Sequence, residues 1–208
     1  MTGRILIDLF MTLDGVAQGP GGTDEDPSGG FEFSGWQAGY PSSGMGETVS
    51  KGMQGLDALL LGRRTYDIFA SYWPHHTDGP SGEIGRLFDR VPKYVASRNA
   101  DIALAWRNSR RVGGDLIAEI AELRAQHVEV HVIGSIDFVH SLLAKGLFDE
   151  FNLWVYPILL GTGKKVFDDG AKPSVLRLLE PPVVDESGVM LLRYGRTDLV
   201  PEVGTFED

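Results

Sequence analysis

The sequence contains no cysteine, which excludes disulfide bonds, thiolate metal sites and cysteine nucleophiles together. It has no uninterrupted apolar run approaching the ~20 residues that a membrane-spanning helix needs. Met1 to Phe10 carry Arg4 as their sole basic residue and run into Asp8; lacking a long apolar stretch and a small-residue cleavage pattern, they do not read as a secretory leader. A cytoplasmic protein is expected by elimination. Positive charge is scarce too: 19 lysines and arginines stand against 29 acids, a formal net charge of -10. Such a field repels nucleic-acid backbones and anionic membrane surfaces, so neither is expected as a partner. An anionic ligand must be held by a local basic cluster that reverses the field over a few ångströms.

What the chain does have is a recurrence of short apolar runs, at Ile5 to Phe10, Ala58 to Leu61, Tyr94 to Ala96 and Val130 to Ile133, which read as buried strands. Between them, Leu116, Ile117, Ile120 and Leu123 keep one helical face apolar, as do Phe138, Val139, Leu142 and Leu143. The second of these helices ends on Lys145 and Gly146, a basic last turn followed by a residue free to turn left-handed. Alternation of strand and helix favours a sheet covered on both faces. After Gly146 the pattern changes to period two, with Phe151, Leu153 and Val155 alternating with Asn152, Trp154 and Tyr156; further strands are expected over 175–179 and 189–194. The fold class is therefore α/β, a mixed, mainly parallel sheet flanked by helices with antiparallel strands at its C-terminal end. Pro157 suggests an edge or a bulge there. One domain over 1–199 is the economical division of 208 residues, with 200–208 as an acidic tail. The segment 12–30 is rich in glycine and proline and reads as a long functional loop, a lid over the end of the first strand, or as disorder.

The most informative stretch is Leu59-Leu60-Leu61-Gly62-Arg63-Arg64-Thr65-Tyr66, a buried strand that turns through glycine straight into a helix. Two arginines in a first helical turn oppose the positive end of the helix dipole. A bound anion resolves that conflict, because free backbone N–H groups and guanidinium forks both suit phosphate; the plain alternative is two solvated surface arginines. Ser97 and Arg98 offer a hydroxyl and a guanidinium at the next strand's end. Ile133-Gly134-Ser135-Ile136 forms another strand–glycine–helix junction that allows close backbone approach by a pyrophosphate, or else a simple tight turn. Two basic sites and a glycine turn at three strand ends suit a ligand with separated phosphates, such as a dinucleotide bearing a 2'-phosphate. No GxGxxG follows a strand, no GxxxxGK[ST] exists, and no GxSxG elbow is present. His75-His76 lacks the spacing and the third ligand of a metal site, and no metal is expected.

These residues resemble the dihydrofolate reductase superfamily, and within it the branch similar to the reductase domain of riboflavin biosynthesis. The resemblance is carried by Thr12-Leu13-Asp14-Gly15, the 59–66 motif, Tyr94-Val95-Ala96-Ser97-Arg98, Gly134-Ser135, and Leu147 to Phe151 followed by Pro157 and Gly161-Thr162-Gly163. It implies a dihydrofolate-reductase-like sheet and NADPH as cofactor. Gly62, Arg63, Arg64, Thr65, Ser97 and Arg98 would then surround the adenosine phosphates, and Ile133, Gly134, Ser135 and Ile136 would lie beside the pyrophosphate or nicotinamide. It also favours a homodimer.

Reduction of a C=N or C=O bond needs a hydride and a proton. Asp14, at the end of the first strand, is the candidate proton donor, although Asp-Gly is also a common turn pair. Glu47 reads as a solvated acid on a helix whose apolar stripe is Met45, Val49 and Met53. Trp36, Tyr40 and Trp73 either stack on a flat ligand or fill the core. The expectation is an NADPH-dependent reductase of a small heterocycle such as a pterin, a pyrimidine or a riboflavin-pathway-like compound. The competing expectation is a noncatalytic dimeric nucleotide-binding or sensor module.

Overall fold

A computed structural model describes residues 2–40, 44–79 and 82–205. Residues 206–208 of the expected tail and the side chain of Met45 lie outside the described residues. In chain order the elements are β1 (Arg4–Thr12), α1 (Met45–Gly52), β2 (Ala58–Gly62), α2 (Arg63–Tyr72), α3 (Gly82–Arg90), β3 (Lys93–Ala96), β4 (Ser109–Val112), α4 (Leu116–Gln126), β5 (Glu129–Val132), α5 (Ile136–Lys145), β6 (Glu150–Tyr156), β7 (Leu176–Leu178), β8 (Val183–Val184) and β9 (Met190–Arg196). They build one nine-stranded sheet in the order β4-β3-β2-β5-β1-β6-β9-β7, with β8 also on β9.

The six strands from β4 to β6 run parallel, and β7, β8 and β6 all pair antiparallel with β9. The sequence shows why. β2 reads Ala-Leu-Leu-Leu-Gly and is buried at every position, as a parallel strand covered on both faces must be. From β6 onward no helix intervenes between strands, and the β7–β8 and β8–β9 connections are short, which suits antiparallel pairing.

The alternation of β1 sends Ile5, Ile7, Leu9 and Met11 into a core shared with Ile120 and Leu123 of α4 and Val139 and Leu142 of α5. The opposite face is divided. Leu59 and Leu61 pack with Tyr66, Phe88 and Trp106 under α2 and α3, while Phe10, Trp154 and Tyr156 pack with Trp36 and Val189. Between these two clusters the residues from β1, β5 and β6 are polar, as described below.

Gly146 caps α5 in the left-handed conformation, with φ 63°, where glycine carries no steric penalty. Pro157 corrects the expectation of an edge or bulge: β6 is an interior strand between β1 and β9, and the proline stands just past its last residue, Tyr156, where the ladder requires no N–H. The segment 12–30 is braced throughout. Gln18, buried, donates from Nε2 to the carbonyls of Asp26 and Ser28 at 2.9 Å each. Its Oε1 accepts from Lys164 N at 3.0 Å, and its own carbonyl accepts from the Trp36 indole at 2.9 Å.

Candidate cofactor and substrate site

Because β3, β2 and β5 are parallel neighbours, their C-terminal ends bring three turns to one rim of the sheet. A cavity of about 860 Å³ opens there, lined by Gly62, Arg63, Arg64, Ser97, Arg98 and Ser135 among others. The β2–α2 and β5–α5 turns lie against each other: Gly62 N donates to the Gly134 carbonyl at 2.8 Å. A Cβ on Gly62 would fall 2.2 Å from Ser135 Oγ and 2.7 Å from Ser135 N. Gly134 has φ +131°, and a Cβ there would meet Thr65 Oγ1 at 2.7 Å. The Gly134–Ser135 peptide is cis.

Helix ends decide what this cavity can hold. Gly62 and Ser135 cap α2 and α5 without any side-chain hydrogen bond, so both first turns keep amide donors free. The neighbouring α4 is closed by its own acids: Asp115 accepts from Ile117 N at 2.9 Å, and Glu119 Oε1 accepts from Gly113 N and Gly114 N at 3.0 and 2.9 Å. Two helix ends without a side-chain cap and three arginines thus line one cavity, together with the acids Asp67, Glu119 and Asp137.

The arginines are not equivalent. Arg63 Nε donates to both carboxylate oxygens of Asp67 at 2.7 Å. Arg64 pairs with Asp26 and donates to Ser28 Oγ at 2.7 Å, and Asp26 Oδ2 also accepts from Lys164 Nζ at 2.9 Å. Arg98 is exposed and, among the described residues, makes neither a hydrogen bond nor an ion pair. Burial opposes ionisation of Asp26, yet the hydrogen bonds from Ser28 and Lys164 hold its carboxyl below the ordinary range. Asp26 thus ties the glycine-rich loop to the first turn of α2. Sequence reasoning missed it, because an acid inside an Asp-Glu-Asp run (24–26) in a Gly/Pro loop carries no periodic signal.

Thr65 and Gly134 do not line the cavity; a Cβ on Gly134 would meet Thr65 Oγ1 at 2.7 Å. Ile136 is buried in the α4–α5 core, so only its backbone is available to a ligand. Asp14 stands apart from the cavity: its carboxylate accepts from Thr12 Oγ1 at 2.6 Å, Leu160 N at 3.2 Å and Gly161 N at 2.8 Å. Burial is the largest single influence and raises its proton affinity, but the donors together outweigh it and hold the carboxyl below its ordinary range. The geometry gives Asp14 the part of an acceptor that fixes the 160–161 turn. Glu47 is exposed and pairs with Lys51 at 2.8 Å. His76 Nδ1 meets the Tyr72 carbonyl at 2.7 Å, and its ring stacks on Tyr72.

Ile133 faces the other way, into a second cavity of about 690 Å³ on the sheet face beneath α1 and α2. Phe10, Val49, Phe69, Trp73 and Trp154 give it apolar walls, and Asp8 and Asn152 stand on its floor. Trp36 and Tyr40 instead pack edge-on against Tyr156, with centroids 5.0 and 5.5 Å away. The segment 133–135, between β5 and α5, contributes Ile133 to this cavity and Ser135 to the rim cavity.

A mixed sheet of this order, parallel from β4 to β6 and antiparallel at its C-terminal end, is a dihydrofolate-reductase-like fold. The family model of the RibD C-terminal domain matches residues 4–187, and the chain belongs to that family. It is 25% identical over 193 residues to the uncharacterized protein YyaP of Bacillus subtilis (strain 168), covering 92% of this chain and 94% of the relative. Among solved structures, a putative riboflavin biosynthesis protein from Shewanella sp. PV-4 superposes with TM-score 0.69 at 22% identity, covering 93% of this chain and 99% of that one. Dihydrofolate reductase from Enterococcus faecalis, solved in complex with NADP(H), superposes with TM-score 0.58 at 14% identity, covering 95% and 99%. The expected fold and family are both found.

Proposed function

We propose that the chain is an NADPH-dependent reductase of a small nitrogen heterocycle of the pterin, pyrimidine or riboflavin-pathway-like kind. The observation that carries this is the pairing of two uncapped helix ends, on α2 and α5, with arginines on one cavity. Free amides at two such ends suit the pyrophosphate of a dinucleotide. Arg98, without a partner among the described residues, would meet a 2'-phosphate, and Arg63 would join it by exchanging Asp67 for the ligand. A bound nicotinamide supplies the hydride. The protein's share is to orient the two ligands across residues 133–135 and to keep water from the apolar cavity.

One observation favours the alternative of a noncatalytic nucleotide-binding module: Asp14, the proton donor expected from the sequence, is spent on the 160–161 turn. NADPH oxidation with a panel of heterocycles, run beside thermal stabilisation by NADPH, separates the two. At a hundred times its Kd the cofactor stabilises the fold by about 2.7 kcal/mol. Stabilisation together with turnover on any member of the panel supports the reductase, and stabilisation without turnover supports the module.

A cytoplasmic homodimer completes the proposal. Among the described residues no helix is long and apolar enough to cross a membrane. The β7–β8 edge exposes Leu178, Leu179, Val183 and Val184, a surface suited to pairing across a twofold axis. Sedimentation showing monomer alone at micromolar concentration would reject the dimer.

A further inference from the structure

Several groups on the wall of the rim cavity already hold a carboxylate of the protein's own. Arg63 holds Asp67, one turn along the same helix, and the amides of Gly113 and Gly114 hold Glu119 from the first turn of α4. Those partners are local, and trading them for a ligand moves little backbone. Arg64 differs: its partner Asp26 stands 38 positions earlier, in the glycine-rich segment, so whatever occupies Arg64 acts on a loop and not on a neighbouring side chain. Asp26 is buried and spends both oxygens on holding that loop. Oδ1 accepts from Arg64, from Ser28 Oγ at 2.6 Å and from Ser28 N at 3.2 Å, while Oδ2 accepts from Lys164 Nζ at 2.9 Å. Arg64 also donates to Ser28 Oγ at 2.7 Å. Segment 21–30 is thus fastened on two sides, to α2 through Arg64 and to the 160–165 turn through Lys164. Inside the segment, Glu25 folds back on the amides of Gly21 and Gly22 at 2.5 and 2.9 Å, and residues 21–24 are exposed. A stretch with so little burial is held by its side-chain ties and loosens when they go.

We propose that Asp26 is an internal occupant of the phosphate rim: its carboxylate holds Arg64 in the free protein, an incoming phosphate takes that arginine over, and segment 21–30 is released from α2 while it stays tied to Lys164. A carboxylate and a phosphate offer a guanidinium the same paired oxygen acceptors, and Arg64 reaches the cavity with about half of its side chain exposed. After the handover Asp26 keeps Lys164 and Ser28, so its charge is never left buried without a cation. The coupling is reciprocal: if phosphate frees the segment, the fastened segment weakens phosphate binding. This handover presupposes the rim as a phosphate site, which the proposed function assigns, but not the reduction of any substrate.

The test compares the full chain with its Asp26→Asn and Asp24→Asn variants. Inorganic pyrophosphate is the probe, because it carries the anion without a ring that could rest on the segment. Asp24 is exposed and, among the described residues, makes no bond to Arg64, so its variant removes the same charge from the same loop and measures the general field. Calorimetry should show pyrophosphate binding Asp26→Asn about threefold or more tighter than wild type, with Asp24→Asn close to wild type. Hydrogen exchange followed by mass spectrometry should show the 21–28 amides of wild type exchanging about threefold or more faster at saturating pyrophosphate, and those of Asp26→Asn equally fast with or without it. Affinity unchanged or weaker in Asp26→Asn, an equal gain in Asp24→Asn, or saturated wild type whose 21–28 amides exchange no faster would overturn the handover and leave the rim standing. Should Asp26→Asn fail to fold, the hydrogen-exchange measurement on wild type decides by itself. Pyrophosphate that binds no form of the chain overturns the handover, and if NADPH fails to bind as well, the rim falls with it.

Discussion

Gly62→Ala is a narrow perturbation with a calculable consequence. Gly62 has φ -66° and ψ 152°, a conformation alanine adopts without strain, so the substitution tests packing alone. The new Cβ would lie 2.2 Å from Ser135 Oγ, 2.7 Å from Ser135 N and 3.1 Å from Phe138 Cβ. The hydroxyl can rotate away, but the amide nitrogen moves only if the β5–α5 turn moves with it. Overpacking of a tight contact costs about 1–3 kcal/mol, and here the strain falls on the two turns whose amides face the phosphate cavity. Urea unfolding should show a stability loss of that size. Titration with NADPH should show at least a tenfold weaker Kd, about 1.4 kcal/mol, once the β5–α5 amides withdraw from the ligand. Unchanged stability together with unchanged affinity would mean that the two turns do not form one site.

Arg98→Ala should weaken NADPH more than NADH, by roughly tenfold or about 1.4 kcal/mol, since the cofactors differ only in the 2'-phosphate; equal losses in fluorescence titrations would remove Arg98 from that role. Asp14→Ala should cost about 1–3 kcal/mol in chemical denaturation, because it strips hydrogen bonds to a charged acceptor from Leu160 N and Gly161 N; an unchanged midpoint would show that the 160–161 turn holds itself. Lys93 is fully buried, donates to the carbonyls of Phe88 and Asp89 at 3.0 and 3.1 Å, and is pushed by burial from the usual 10.5 to about 8, Asp89 opposing the drop. Between those values the unfolded chain binds more protons than the folded one, so this residue makes stability rise with pH, by about 3 kcal/mol in total, and below about pH 8 its penalty is constant. The difference between wild type and Lys93→Met, followed by denaturation from pH 7 to 11, should show that rise; a flat difference would contradict it. His131 behaves oppositely: burial lowers its proton affinity, but Asp8 and Glu129 outweigh it and raise the pKa, so its share of stability is complete below about pH 6.5 and fades as pH climbs through the raised value. Denaturation of His131→Gln beside wild type should give curves that converge with rising pH, and parallel curves would refute that assignment.

Much of the architecture was legible because it rests on period and punctuation. The Leu59–Leu61 run, the Gly62 turn and the Lys145–Gly146 helix end each follow from local chemistry, and the change to period two after Gly146 marked the antiparallel strands. β4 was not legible: Ser-Arg-Arg-Val at 109–112 is a short outer strand in which Arg110 is exposed and reaches Glu122 and Gln126 of α4 while Arg111 donates to the Ser97 and Gly113 carbonyls, so it lacks an apolar pattern. That Gly62, Arg63, Arg64, Ser97, Arg98 and Ser135 share one cavity was legible because each stands at the C-terminal end of a parallel strand. The Asp26 link to Arg64 and Lys164, and the row in which Asp8 bonds His131 and Asn152, were not found. Each joins residues from separate elements, more than 35 positions apart in the chain, and their polar character disguises rather than announces the contact. Asp8 in particular interrupts an apolar strand, and only the register of β1 with β5 and β6 shows which neighbours it meets.

The central claim is that the rim formed by β2, β3 and β5 holds the phosphates of a reduced dinucleotide. Calorimetric titration of the full chain with NADPH, and in parallel with NADH, tests it most directly. Saturation at one cofactor per chain, with NADPH the tighter of the two, is the expected result. Well-folded protein that shows no saturable heat with either nucleotide would contradict it.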